Sequence, residues 1–239
     1  MSHYLAEFIG TAILILLGDG VVANVVLKKT KGNDSGWIVI TLGWAVAVVV
    51  PAMIFGNHGG AVFNPALTIA LAVTGAFEWS VVPGYIAAQM AGAFVGACLV
   101  WLMYKDHFDA TEDGDSKLAV FSTGPAIRSN ANNFISEVIG TFILVFAIMG
   151  ISQTFIGDNV APGVNLFGVG AIILTCGMSL GGTTGYAINP ARDLGPRIAH
   201  FILPIKNKRN SDWSYSWIPV LGPIVGAVLA AFLNNALFA

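Results

Sequence analysis

The sequence predicts an all-α integral membrane protein, with six spanning helices and two half-helices in an inverted repeat. Three observations carry that prediction. Of 239 residues, 56% are hydrophobic and only 10% charged, where a soluble domain averages about 25% charged, and the mean hydropathy is +0.76. Six apolar stretches come close to the ~20 residues that a spanning helix needs. The tripeptide Asn-Pro-Ala occurs twice, as Asn64-Pro65-Ala66 and Asn189-Pro190-Ala191. Each copy sits in apolar surroundings and opens a segment too short to cross a bilayer.

The six stretches run over roughly 4–27, 37–56, 81–104, 132–153, 163–182 and 214–238. Polar connections separate them, and the longest, 105–130, carries Asp106, Asp109, Glu112, Asp113 and Asp115. It reads as a solvated loop. Met1 to Tyr4 lack a basic n-region, so no cleavable signal peptide is expected. Cys98 and Cys176 both fall in apolar spans and read as small packing residues. The net charge of −2 points to neither nucleic acid nor an acidic substrate. No nucleophile–base pair and no metal-ligand cluster is visible, so neither an enzyme, a metal site nor a cofactor is expected.

The two halves echo each other. Ala6-Glu7-Phe8-Ile9-Gly10-Thr11 begins the first span and Ser136-Glu137-Val138-Ile139-Gly140-Thr141 the fourth, 130 residues on (Glu7 to Glu137). The Asn-Pro-Ala copies lie 125 residues apart (Asn64 to Asn189). The chain therefore reads as one domain over 1–239, with repeats at about 4–104 and 132–238. Each repeat holds three spans and one short helix. Three is odd, so the second repeat enters the membrane from the opposite side, as in many transport folds. Gly10, Gly92, Gly96 and Gly226 read as close-packing residues between spans.

Inversion places the short helices, 65–73 and about 190–200. They enter from opposite faces, so their N-termini can meet near the midplane, where irregular backbone is tolerated only if buried or lining a watery cavity. Proline suits the first turn of a helix and Asn is a good N-cap. Each N-terminus offers unsatisfied N–H groups and a partial charge of about +0.5. Two such ends aimed at one point repel cations and protons, while the Asn64 and Asn189 amides can donate to a passing hydroxyl or water. That is the barrier expected of a channel for neutral solutes. Arg192 follows directly, and a charge at membrane depth is a functional candidate by default. It reads as a fixed cation at a constriction; the bland alternative pairs it with Asp193 or lets it snorkel outward.

These residues resemble the aquaporin superfamily, and specifically its aquaglyceroporin branch of glycerol facilitators. The resemblance rests on the Glu7 and Glu137 repeats, on both Asn-Pro-Ala motifs, on the run from Gly185 to Pro196, and on Pro219-Val220-Leu221-Gly222-Pro223 opening the last span. Asp193 and Pro219 fit the glycerol-conducting branch. The resemblance implies passive conduction through a homotetramer with one pore per subunit. It also implies a selectivity filter of four residues: Trp44 (twenty before Asn64), Gly177 (twelve before Asn189), Tyr186 (three before Asn189) and Arg192. Gly177 would leave room for a carbon skeleton, and two aromatic faces would form a wedge opposite the Arg. Tyr186 stands where these proteins commonly have Phe, and Val62 where many have His. Glu7 and Glu137 would accept hydrogen bonds from the loops leading to the half-helices, with Asp193 as a further support. Asp19, in the first span, would face the outer vestibule or receive backbone donors.

The branch implies a plasma-membrane protein with cytoplasmic termini. The basic residues oppose that orientation, since all eleven Lys and Arg lie in or beside the first, third and fifth connections or in the second half-helix. The positive-inside rule alone would put those connections in the cytoplasm. The expected solutes are glycerol and water, with dihydroxyacetone, urea, hydrogen peroxide and undissociated lactic acid as further candidates. Two competing classes are an ion- or proton-coupled transporter, which needs a carboxylate-lined midplane site, and a junctional or scaffold membrane protein with an occluded pore.

Overall fold

The computed structural model describes residues 1–59, 61–154 and 164–238. Among the described residues every regular element is a helix: α1 (His3–Val26), α2 (Trp37–Gly59), α3 (Pro65–Val73), α4 (Val82–Met103), α5 (Lys105–Ala110), α6 (Gly114–Phe121), α7 (Asn130–Thr154), α8 (Val164–Leu180), α9 (Pro190–Ile202) and α10 (Ile218–Phe238). Helices α1, α2, α4, α7 and α10 are long and apolar enough to cross a membrane, while α8 is a shorter apolar helix of 17 residues. At 1.5 Å per residue it covers about 26 Å, against a hydrocarbon core of about 30 Å. The residues just before it, which the sequence assigns to a connection, lie outside the described ones.

Two departures from the sequence reading stand out. The last span begins at Ile218 rather than near residue 214, because residues 213–217 form a hydrogen-bonded turn, with the Ile218 N–H donating to the Tyr215 carbonyl. The acidic connection is not merely a solvated loop. It folds into α5 and α6 and buries Phe108, Lys117, Leu118, Val120 and Phe121, with α6 packed on α1 and α9. Its acidic residues cap and solvate the outer side: the Asp113 carboxylate accepts from the Asp115 and Ser116 N–H groups. The Ser116 hydroxyl, which also donates to it, and then those N–H groups hold the Asp113 carboxyl below the ordinary aspartate range.

The spans pair tightly where glycine removes the side chain. A Cβ at Gly92 would lie 2.2 Å from the Phe8 carbonyl oxygen, and one at Gly96 2.4 Å from that of Ala12, so α4 and α1 meet backbone to backbone. Gly226 does the same for α10 against Val138 of α7. Gly10 differs from the expectation: its missing side chain makes room for the Phe63 ring, 2.1 Å from where a Cβ would stand. Outward faces carry exposed apolar residues at helical spacing, such as Leu42, Val46 and Met53 on α2 and Leu221, Val225, Leu229 and Phe232 on α10, as spans facing hydrocarbon require.

Chain direction places the half-helices. Helix α1 runs from the face of the N-terminus to the opposite face, α2 returns, and α3 then starts at mid-depth and runs back toward the N-terminal face, where α4 begins. In the second half, α7 starts on the opposite face, so α9 runs the other way. Helix α3 packs on α10 as well as α4, and α9 on α4 as well as α10. Each half-helix is thus held by the last span of the other half. The basic connections meet on one face, where Arg209 pairs with Asp115 and Arg128 with Asp212. The chain termini lie on the other.

Candidate functional site

The two Asn-Pro-Ala segments form one joined structure. Asn64 caps α3, its side-chain oxygen accepting from the Ala66 N–H at 2.9 Å, and Asn189 caps α9 through Ala191 at 2.9 Å and Arg192 at 3.2 Å. Capping fixes each amide plane, and the amides then cross. Asn64 Nδ2 donates to the Ile188 carbonyl at 2.9 Å, and Asn189 Nδ2 donates to the Phe63 carbonyl at 2.8 Å. A primary amide has two N–H donors, so each Asn keeps one. Both Asn line the cavity described below.

The loops that deliver these caps are strained in the same way. The residues three and one before each Asn lie in the left-handed region: Ala61 (φ 50°) and Phe63 (49°), Tyr186 (42°) and Ile188 (44°). For aromatic and β-branched residues that region costs about 1–3 kcal/mol each. Two buried carboxylates hold the conformation. Glu7 accepts from the Val62 and Phe63 N–H groups at 2.9 and 2.8 Å and from Gln89 Nε2 at 2.8 Å. Glu137 accepts from Ala187 and Ile188 at 3.0 and 2.9 Å and from the Thr184 hydroxyl. The signal for Gln89 was present in the sequence, as a lone amide in an apolar span; its partner was not.

A cavity of about 940 Å³ runs from Asn57, Thr74 and Asn234, toward the face of the termini, past Asn64 and Asn189 to Trp44, Tyr186 and Arg192. Its walls are otherwise largely apolar, with Leu14, Val48 and Ile148 among them. At the far end the geometry departs from the expected wedge. The Arg192 guanidinium lies over the Trp44 ring, 4.0 Å from its centroid, instead of facing it across a gap. Tyr186 meets Trp37 edge-on, with centroids 5.8 Å apart, and its hydroxyl is buried without a partner among the described residues. Gly177 does not line the cavity. A Cβ there would lie 2.8 Å from Tyr186 Cζ, so the space it leaves holds the tyrosine ring.

Arg192 does not pair with Asp193. Its Nη1 lies 3.5 Å from Asp19 Oδ1, and both side chains are almost wholly buried. Asp193 serves a different cation, four residues on and missed in the sequence. Arg197 donates to both Asp193 oxygens at 2.8 and 3.1 Å, to the Thr123 carbonyl at 3.0 Å and to that of Ser211 at 2.7 Å. The Thr123 N–H and hydroxyl both donate to Asp193 at 2.8 Å. Asp193 therefore ties α9 to Thr123, and Arg197 carries the tie on to Ser211, while among the described residues the carboxylate bonded to the loop that carries Asn189 is Glu137. The Lys208 ammonium closes the other end of α9 by donating to the carbonyls of His200, Phe201 and Leu203, a cation at a helix C-terminus.

Comparisons with known proteins agree with this architecture. The profile of the family described as "Major intrinsic protein" matches residues 1–234. The chain is 58% identical over 238 residues to a protein of Thermotoga maritima named "Probable glycerol uptake facilitator protein", covering all of both chains. It is 54% identical over 233 residues to the "Glycerol uptake facilitator protein" of Streptococcus pneumoniae, covering 98% of each. Among solved structures it resembles the aquaglyceroporin from Plasmodium falciparum, with a TM-score of 0.86 at 31% identity over 99% of this chain and 96% of that one. Doubled half-helices, crossed asparagines and whole-length similarity have one reading: the chain is a multi-pass membrane protein that belongs to the major intrinsic protein family.

Proposed function

We propose that the chain is a passive channel for small neutral solutes, glycerol and water first, which turns ions and protons away. One observation carries the reading: two helix N-termini from opposite halves converge on one lumen, and each capping asparagine keeps an unused N–H there. Apolar walls suit the carbon skeleton of a polyol, the amide donors and Arg192 suit its hydroxyls, and the two positive helix ends oppose a cation. Dihydroxyacetone, urea, hydrogen peroxide and undissociated lactic acid share that chemistry. Selectivity among them is assigned to Trp44, Tyr186 and Arg192, with Gly177 seating the tyrosine ring. A coupled transporter would need a carboxylate facing the lumen. Near the crossing, Glu7 and Glu137 are occupied by loop N–H groups. The relatives are named as facilitators and not as enzymes.

The protein is expected to be a homotetramer in the plasma membrane, built as one domain of two repeats, with both termini cytoplasmic. A cysteine in place of the exposed Glu112 reports the orientation. It is expected to react with an impermeant thiol reagent on intact cells, above the background from Cys98 and Cys176 in the unsubstituted chain. Protection until the cells are lysed would invert the topology and vindicate the positive-inside rule.

Stopped-flow measurements on reconstituted protein test the function. Water and glycerol are expected to cross far faster than in empty vesicles, and at rates indifferent to an imposed proton gradient. Flux that follows the gradient would make the protein a coupled transporter, and no flux would make it a scaffold. Tyr186→Phe is expected to change the glycerol-to-water ratio by about two- to fivefold. It should not lower the melting temperature, because the hydroxyl has no partner to lose among the described residues. An unchanged ratio would mean that the hydroxyl never meets the solute.

A further inference from the structure

Among the described residues, Asp19 is the one carboxylate in the membrane interior that no feature of conduction yet uses. It lies on α1, wholly buried, beside Gly18, where a Cβ would lie 2.2 Å from the six-membered ring of Trp44. Its Oδ1 faces Arg192 Nη1 at 3.5 Å, and its Oδ2 has no hydrogen-bond partner among the described residues. The Arg192 guanidinium is therefore bounded by the Trp44 ring at 4.0 Å and the Asp19 carboxylate. Asp19 is its hydrogen-bond acceptor among the described residues. An arginine side chain has several rotatable bonds and would otherwise sample the lumen. Here a charge and a π-face, two attractions that both strengthen on desolvation, draw it to one wall.

We propose that Asp19 is a positioning and specificity residue of the constriction. It draws Arg192 against Trp44, which leaves the space beside Tyr186 for the solute, and it offsets part of the guanidinium charge, so a solute meets hydrogen-bond donors on a weakened cation. A neutral polyol gains from the donors and does not need the charge. A small anion would be held by an unpaired guanidinium, and the carboxylate removes that trap. The α1 residue thus helps to set both the aperture and the indifference of the filter to charge. This rests on the channel reading above.

The test is a cycle of Asp19→Asn, Asp19→Glu, Arg192→Gln and the double variant Asp19→Asn with Arg192→Gln. Each is reconstituted and measured for glycerol, water and formate flux per folded protein. Asp19→Asn is expected to lower the glycerol-to-water ratio by about fivefold to tenfold, a size typical of coupling between charged groups in contact, and to raise formate uptake. Asp19→Glu restores at least part of the ratio. In the Arg192→Gln background Asp19→Asn has no further effect on the ratio, and the double variant melts higher than Arg192→Gln alone, because it no longer buries an unpaired carboxylate. That melting comparison carries the test should Asp19→Asn alone not fold. An unchanged ratio in Asp19→Asn, an equal fall in both backgrounds, or a double variant that melts lower than Arg192→Gln would each overturn the role of Asp19. Unsubstituted protein that conducts no more than empty vesicles would instead overturn the channel reading on which it stands.

Discussion

Replacing Arg192 with valine is expected to open the channel to small monovalent cations and to lower its preference for glycerol over water. At about 6 Å, in a medium of effective dielectric about 20, one unit charge contributes about 3 kcal/mol to the barrier met by an ion. Asp19 cancels part of this in the native protein, so removing Arg192 also exposes a carboxylate that attracts cations. The helix ends of α3 and α9 remain and still oppose the ion. The net expectation is a rise of roughly tenfold in ammonium or sodium leak, which corresponds to about 1.4 kcal/mol. Vesicles loaded with an ion-sensitive dye measure it directly. Leak no higher than in the native protein would show that the helix ends alone exclude ions and that Arg192 has no part in it. Breaking the buried pair with Asp19 also costs stability, on the order of 3–5 kcal/mol, so flux is normalised to folded protein.

The second large effect belongs to the carboxylates beneath the loops. Glu7→Gln and Glu137→Gln are each expected to lower the melting temperature by roughly 5–10 °C and to cut glycerol conduction at least about tenfold. A hydrogen bond to a charged group contributes about 1.5–3 kcal/mol, and each carboxylate receives two from loop N–H groups. Glutamine offers one oxygen and points an N–H₂ at the other donor. A loss of about 2.5 kcal/mol in a chain of this size moves the midpoint by roughly 5–10 °C. The strained residues Phe63 and Ile188 would then relax out of the left-handed region, and the carbonyls that anchor Asn189 and Asn64 would move with them. Conduction and melting that match the native protein would mean that the crossed amides hold the loops without help from α1 and α7.

Much of this molecule is readable one stretch at a time. A span declares itself through some twenty apolar residues, and Asn before Pro announces a helix start wherever it falls. An odd number of spans between two copies of a motif forces inversion by counting alone. Asn64, Asn189, Glu7 and Glu137 could be named in this way because each sits in a recognisable local setting that recurs in the other half.

What escaped the sequence depends on groups far apart along the chain. Asp19 and Arg192 are 173 residues apart, and nothing near Asp19 says which way its carboxylate points. Gly177 reads as an opening in the lumen, yet its space is filled by Tyr186, because the loop carrying that residue folds back on α8. Arg197 enters the sequence only as one of the basic residues of the second half-helix, because its partners, residues 123 and 211, lie in separate connections. The acidic connection shows its charges in the sequence and hides the buried face that lets it pack on α1 and α9. Hydropathy and capping are local properties, written into neighbouring residues. The partner of a buried charge is chosen by packing, since at membrane depth the charge must be satisfied by whatever the fold brings beside it. The doubled tripeptide placed the proposed barrier to ions; the pairing of Asp19, Arg192 and Trp44 beside it emerged from the packing of α1, α2 and α9.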